Sequence, residues 1–442
     1  MMLRALRCSL VLLASCGGSV LIMRGGTDGE VKVKVDAKSH GGIHLVSLVR
    51  PFDEDHNHSG ANARSVAQLT DGDWLVSIEA GASNIARLAR TGATRWTRRG
   101  QFLATMEVGG SILGVGYLLD DAAPPVDAAY GGVRPSSIIS IDARGRTRWS
   151  VTDELLVHVQ YARLVRAAGT NVVVTPNAMI GVDDAGTVLW KAREPAWASA
   201  FEATTAGARL AIASSTSTIT STEVVAGIER RDVCVVRLVE PTSGVVHARV
   251  ELAPEGHRCT VFGLAVVGDS LVVRVSDERL LHQDGKMWNE GVNRFIVLDA
   301  RTLESGGSLA EATTRPTARP FTGVIGRDEI TFLDAYASGQ PLALAIFDAI
   351  RREVRYEQLL LTARVTIGDG FNSTIQLQSK QDLDQLVFAG MFAGHLRFGR
   401  ERLSSDLHEI DGCAGQDDND CTGVDTIAPF AGVIGAVKFT RR

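Results

Sequence analysis

The sequence predicts an all-β fold, a β-propeller built from four-stranded antiparallel sheets. Three observations lead to this prediction. After about residue 31 the 442-residue chain shows no sustained helical periodicity but many short runs rich in β-branched residues, separated by Gly, Asp, Asn and Pro. Glycine is frequent, at 45 residues, as a fold with many tight turns requires. A strand–turn–strand pattern also recurs every 40 to 60 residues or so, which is the period of propeller blades.

The recurring pattern is clearest in three segments. In each, a strand leads into a turn with Gly, and a second strand carries Trp four residues after that Gly. The Gly supplies the positive φ of a tight hairpin, and the Trp offers a large flat surface on which another sheet can pack. The three segments are Ile85–Trp96, Ile138–Trp149 and Met179–Trp190, and their turn glycines are Gly92, Gly145 and Gly186.

Weaker copies extend the repeat to Val236–Val250, Ile296–Leu309 and Ile346–Gln358, so that turn centres lie about 41 to 61 residues apart. An apolar strand with Lys near residue 438 completes a closing unit. We therefore predict that residues 43–442 form one propeller domain with seven blades, and six or eight blades also fit the sequence. A closed ring would leave no long exposed sheet edge.

The order of strand, Asp, Gly and then Trp resembles the pyrroloquinoline-quinone-like (PQQ-like) repeat of β-propellers, and residues 138–149 and 179–190 carry it best. The resemblance implies the architecture. It does not extend to the cofactor, because the calcium site, catalytic Asp and docking signature of the quinone-dependent dehydrogenases have no counterpart that we can place in this sequence.

The N-terminal residues are typical of an export signal. Two arginines precede a short apolar run, and Leu13–Cys16 resembles the bacterial lipobox, in which the signal is cut before a Cys that then receives lipid. This resemblance predicts a signal peptide at residues 1–15, lipidation of Cys16 and a Gly-rich flexible tether over residues 16–42. Plain secretion and a retained membrane anchor are the alternatives.

The predicted lipid sets the location. We expect a lipid-anchored protein of the bacterial cell envelope, in the outer membrane and facing either the periplasm or the cell surface. The membrane is then a partner through the lipid alone.

Four cysteines remain after the signal and the lipidated residue. An even number in an exported chain predicts two disulfides. Three pairings are possible, and proximity in sequence favours Cys234 with Cys259 and Cys413 with Cys421.

An acidic insertion bounded by cysteines, residues 409–425, resembles a metal-binding repeat of secreted bacterial proteins. By position, the resemblance makes Asp418, Asp420 and Asp425 oxygen ligands for a hard cation such as Ca²⁺. The alternative is a solvated acidic loop pinched by a disulfide. No other cofactor is expected.

Charge and motifs limit the function. A net charge of -5 gives no overall basic field for nucleic acid, and the sequence holds no nucleophile elbow, Walker loop or dinucleotide-binding motif. We therefore expect a non-catalytic, monomeric binding or scaffold protein, whose partner is an envelope protein or a glycan. The alternative is a propeller enzyme, a hydrolase or lyase, with its site in the central funnel.

Overall fold

The structure, a computed structural model, is built of β-strands. Among the residues it describes there is no α-helix, and a short 3₁₀ helix lies at Glu154–Leu156. Side chains are described in most of the ranges between residues 65 and 308. The backbone is described for residues 21–24, 31–34, 43–49, 62–80, 82–89, 93–119, 136–157, 159, 161–193, 198–219, 230–252, 258–283, 286–310, 321–325, 329–334, 343–348, 353–358, 362–364, 381–382, 385–392, 395–398, 401–404, 408–410, 425–427 and 431–439.

Three strands precede the repeats. β1 (Leu21–Arg24) pairs antiparallel with β2 (Val31–Lys34), which pairs with β3 (Ile43–Val49). The first two lie within residues 16–42, for which the sequence predicts a tether, so part of that segment is strand. The alternation of Val and Lys in β2 explains this, because it gives the strand one apolar and one charged face.

The first two four-stranded sheets share the long strand β7. Its partner changes between Arg99, which faces β6, and Gly100, which faces β8. At Gly100 the φ angle is +147°, and a Cβ would lie 2.3 Å from the carbonyl oxygen of Tyr117, so the close approach requires Gly. The strands are β4 (Asn62–Gln68), β5 (Trp74–Ala80), β6 (Ala82–Leu88), β7 (Thr94–Val108), β8 (Ser111–Leu118), β9 (Ser137–Ile141) and β10 (Thr147–Thr152).

Four more sheets follow, each with four strands that pair antiparallel in chain order, and one parallel bridge between Asp232 and Arg258 joins the fourth sheet to the fifth. The third sheet has β11 (Arg163–Ala167), β12 (Thr170–Val174), β13 (Ala178–Val182) and β14 (Val188–Arg193). The fourth has β15 (Ala198–Ala206), β16 (Arg209–Ile219), β17 (Arg230–Val239) and β18 (Val246–Leu252). The fifth has β19 (Arg258–Val267), β20 (Ser270–Gln283), β21 (Lys286–Asp299) and β22 (Ser305–Ala310). The sixth has β23 (Phe321–Ile325), β24 (Glu329–Asp334), β25 (Ala343–Asp348) and β26 (Glu353–Gln358).

The remaining strands bring the two ends of the repeat region together. β34 pairs on one side with β29 and on the other with β3, and β29 also contacts β4 of the first sheet. Two smaller sheets complete this part, β27 with β30 and β31, and β32 with β33. These strands are β27 (Thr362–Arg364), β28 (Gln381–Asp382), β29 (Gln385–Phe392), β30 (His395–Phe398), β31 (Glu401–Ser404), β32 (His408–Ile410), β33 (Asp425–Ile427) and β34 (Ala431–Phe439).

This arrangement confirms the predicted β-propeller. In the first five of the six sheets, the first strand contacts the first strand of the next sheet, as neighbouring blades around an axis do. All six repeat copies that the sequence predicts span the third and fourth strands of successive sheets. The number of seven blades stays a prediction, because residues 365–380 and 411–424 lie outside the described residues.

The core lies between successive sheets. On β12, Val173 packs with Leu113 of the second sheet, whereas Val172 and Val174 pack with Ile212 of the fourth. The middle strands are therefore buried on both faces and nearly continuously apolar. Fourth strands such as β10 and β14 alternate between half-buried and exposed residues, because only one of their faces meets another sheet.

Candidate functional site

Three tryptophans join successive sheets. Each lies on the fourth strand of one sheet and covers the turn glycine of the next, so closely that a Cβ on the glycine would lie 2.5 to 2.9 Å from the indole. All three glycines have positive φ. We call these contacts the first, second and third junctions, and they are Trp96 with Gly145, Trp149 with Gly186, and Trp190 with Gly244.

The indole N–H groups complete the junctions. Each Nε1 donates to a main-chain carbonyl oxygen in the turn of the next sheet, which fixes the position of the ring against that turn. The acceptors are Ala143 for Trp96 at 3.0 Å, Asp184 for Trp149 at 3.0 Å and Pro241 for Trp190 at 2.7 Å.

Between the fourth and fifth sheets the sizes of the two contacting residues are reversed, with a small residue on the strand and a large one in the turn. Four residues after Gly244, where the earlier repeats have Trp, the chain has Ala248, and the following turn has Leu303 instead of Gly. Leu303 is buried in the cluster against which Ala248 packs, and it keeps the positive φ of the glycines, at +62°. A large turn residue thus fills the space that a missing Trp leaves.

The first junction contains a charged cavity of about 360 Å³, lined by Asp71, Asp73, Arg87, Arg95 and Ala143. The guanidinium of Arg87 donates to Asp73 at 2.9 Å, to Asp71, and to the carbonyl oxygen of Ala143 at 2.8 Å in the second sheet. Arg95, whose side chain is 60% exposed, lies 3.5 Å from Asp73. The cavity therefore has both acceptors and donors in its wall, held by bonds between two sheets.

A smaller cavity of about 110 Å³ occupies the same place at the second junction. Asp184 in its wall accepts hydrogen bonds from Arg166 at 2.5 and 2.9 Å and from Asn171 at 2.9 Å. The guanidinium of Arg166 and the amide of Asn171 lower the pKa of Asp184 to about 2, so this carboxylate is ionised at neutral pH.

First strands of neighbouring sheets are also linked by charge. Arg163 on β11 donates to both carboxylate oxygens of Glu202 on β15, at 2.9 and 2.7 Å, and its guanidinium lies 5.8 Å from the centre of the Phe201 ring. The negative charge of Glu202 raises the pKa of Arg163. This bidentate ion pair fixes the third sheet against the fourth.

The disulfide predicted between Cys234 and Cys259 is present. Both residues are buried, and their Cα atoms are 5.5 Å apart. Because Cys234 lies on β17 and Cys259 on β19, the bond links the fourth sheet to the fifth rather than closing a loop within one blade.

The other predicted site residues are only partly placed. The structure puts Asp425 in β33, where it pairs with Ile410, so the two ends of the acidic insertion lie on adjacent strands. Cys16, Cys413, Asp418, Asp420 and Cys421 lie outside the described residues. In the described part of the chain, no three His, Cys, Asp or Glu side chains are grouped as a metal site would need. No helix there has the length and apolar character to cross a membrane.

Four turn aspartates are local hydrogen-bond acceptors. Hydrogen bonds from main-chain N–H groups or from arginine lower the pKa of these side chains below the ordinary value. These residues are Asp142, Asp183, Asp184 and Asp299. Sequence reasoning missed the Arg87 cavity because its walls come from two sheets. The sequence feature that could have indicated this site is the series of arginines that flank the first two tryptophans.

Comparison with known proteins supports the fold. No protein-family model matches the chain, and no curated protein sequence is significantly similar to it. The WD40 domain of Neurospora crassa Pan2 superimposes with a TM-score of 0.50 at 11% identity, over 92% of this chain and 99% of that one. The quinohemoprotein alcohol dehydrogenase of Comamonas testosteroni gives 0.45 at 11% identity, over 95% of this chain and 76% of that one. The Dos1 propeller gives 0.44 at 10% identity, over 86% and 93%.

Proposed function

We propose that this protein is a non-catalytic β-propeller of the bacterial cell envelope, anchored by lipid at Cys16, that binds an envelope protein or a glycan. The observation that carries the binding role is the engagement of Arg87. Its three guanidinium nitrogen atoms donate to Asp73, to Asp71 and to the Ala143 carbonyl oxygen, so a side chain in the wall of this cavity joins two sheets. Charged groups held in this way support a rigid binding surface.

The binding role is tested with the full chain in intact bacterial envelopes. Treatment with a bifunctional cross-linker should give a discrete adduct that excess unlabelled chain competes away. Uncross-linked chain alone at every reagent concentration contradicts the proposal. Turnover in a screen of hydrolase and lyase substrates, abolished by Arg163→Gln in a variant that keeps the melting temperature of the wild type, would establish the alternative of a propeller enzyme.

The lipid anchor is tested separately. Cys16→Ala should accumulate as unprocessed precursor or be released as soluble protein, whereas Cys8→Ala, the matched control, should be processed and fractionate like the wild type. A Cys16→Ala variant that is processed and sediments with membranes would show that the lipid is not on this residue.

We also propose that Asp418, Asp420 and Asp425 bind Ca²⁺. A second disulfide, Cys413–Cys421, would hold the carboxylates of this insertion close together, and a divalent cation would relieve their repulsion. Titration calorimetry with Ca²⁺ should give heat with the wild type and none with Asp418→Asn plus Asp420→Asn. Equal heats from both proteins would remove the site.

A further inference from the structure

We propose that the surface of the first junction binds a glycan that carries carboxylate groups. This inference rests on the binding role proposed above and names the ligand class. The surface is defined by Arg95 and Arg98 on β7, the turn that contains Arg144 and Arg146, and the adjoining cavity of about 360 Å³.

The arginines lie on both sides of the boundary between the first and second sheets, which we call the seam. Arg98 donates to the carbonyl oxygen of Gly145 at 2.5 Å, and Gly145 lies between Arg144 and Arg146 in the chain. Arg95 lines the cavity together with Ala143 of the same turn. The side chains of Arg95 and Arg146 are 60% and 70% exposed. A ligand that lies along the seam would therefore meet guanidinium groups from both sheets.

Acidic groups near the seam are already engaged. Asp142 accepts from the main-chain N–H groups of Arg144 and Arg146 and from the Arg146 side chain, at 2.8 to 2.9 Å. Asp73 and Asp71 both accept hydrogen bonds from Arg87. The four arginines of the surface and Arg87 outnumber these three carboxylates, although the net charge of the whole chain is -5.

The other junctions show that docking of Trp does not need these arginines. The turn at the second junction contains Asp183 and Asp184, and the turn at the third begins with Glu240, yet both receive the indole in the same way. Lys191 and Arg193, on the strand that carries the third Trp, form ion pairs with Asp153 and Glu154. The positive charge of the first junction is therefore additional to what the fold requires.

The cavity wall suits a sugar acid. Asp71 is 54% exposed there, and its carboxylate accepts hydrogen bonds from hydroxyl groups but repels anionic groups. The carboxylate of a bound ligand would therefore lie on the arginines, and a hydroxyl group would lie on Asp71. Guanidinium groups bind carboxylates in a planar, bidentate geometry. A uronic acid presents hydroxyl and carboxylate groups on one ring, and the cavity volume lies within the range of small-ligand sites, roughly 300–1,000 Å³.

The test uses the full chain in detergent and a tetramer of galacturonic acid. We expect saturable binding that weakens as salt is raised, with no binding of the carboxyl-reduced tetramer. Arg144→Gln plus Arg146→Gln should weaken binding at least tenfold. Lys191→Gln plus Arg193→Gln removes the same charge at another junction and should change it less than twofold. Melting temperatures of both variants verify folding.

Three results would overturn the inference. They are absence of binding by the wild type, equal loss in the two double variants, and equal affinity for a tetrathymidylate, which would indicate an unspecific polyanion surface. Each would leave the binding role standing if the envelope cross-linking test succeeds. Failure of cross-linking together with specific binding of the acidic tetramer would instead restrict the role to glycans.

Discussion

Replacing Gly186 by Ala tests how the sheets dock. Gly186 has a φ of +88°, and a Cβ built on it lies 2.6 Å from Cδ2 of Trp149, so the substitution strains the backbone and also displaces the indole. Gly169 is the matched control, because its φ is +80° but no atom lies within 4 Å of its Cβ position.

The expected magnitudes follow from these two contributions. A non-glycine residue in the left-handed region costs about 1–2 kcal/mol, which both substitutions share. Overpacking adds about 1–3 kcal/mol at Gly186 alone. Trp149→Ala should itself destabilise by about 2–3 kcal/mol, less than the roughly 3–5 kcal/mol of a fully buried aromatic, because the ring is only half-buried. In the Trp149→Ala background, Gly186→Ala should cost no more than Gly169→Ala.

The assay is unfolding in guanidinium chloride followed by far-ultraviolet circular dichroism, which does not depend on the removed Trp. A double-mutant cycle between residues 149 and 186 should give a coupling free energy of about 1–3 kcal/mol. Additive effects, or equal costs of Gly186→Ala and Gly169→Ala in the wild type, would refute the docking of the indole on this turn.

Three further outcomes are expected. The pKa of Asp184 in the folded protein is about 2, below the ordinary 3.8. Its ion pair with Arg166 therefore stabilises the fold fully above about pH 4, and this stabilisation is lost as the pH falls through about 2. In Asp184→Asn, the unfolding free energy should fall less steeply between these two pH values. Replacing both cysteines of the inter-sheet disulfide, which are 25 residues apart, by Ser should cost about 3–4 kcal/mol in denaturant titrations, and no change would mean that the bond does not form. Ser215→Ala removes the buried acceptor of the Val261 N–H, at 2.7 Å, and should cost about 1–3 kcal/mol, whereas Ser150→Ala on the exposed side of β10 should be neutral.

Local pattern was enough to predict the fold class. A turn glycine and a Trp four residues later lie within one hairpin, so their spacing is visible in the chain and repeats at the blade period. For the same reason, Ile138–Trp149 and Met179–Trp190 are third-strand, turn and fourth-strand units of the second and third sheets. The pairing of Cys234 with Cys259 was also predictable, because the two are close in sequence.

Tertiary structure decided what each repeat touches. A Trp covers the turn glycine of the following sheet, and between the fourth and fifth sheets a small Ala248 is matched by a large Leu303. Both arrangements depend on contacts between residues 37 to 55 positions apart in the chain. The net charge of -5 likewise gave no indication that arginines cluster at the first junction. Composition sums charge over the whole chain, whereas binding responds to the few groups that two packed sheets bring within reach of one ligand.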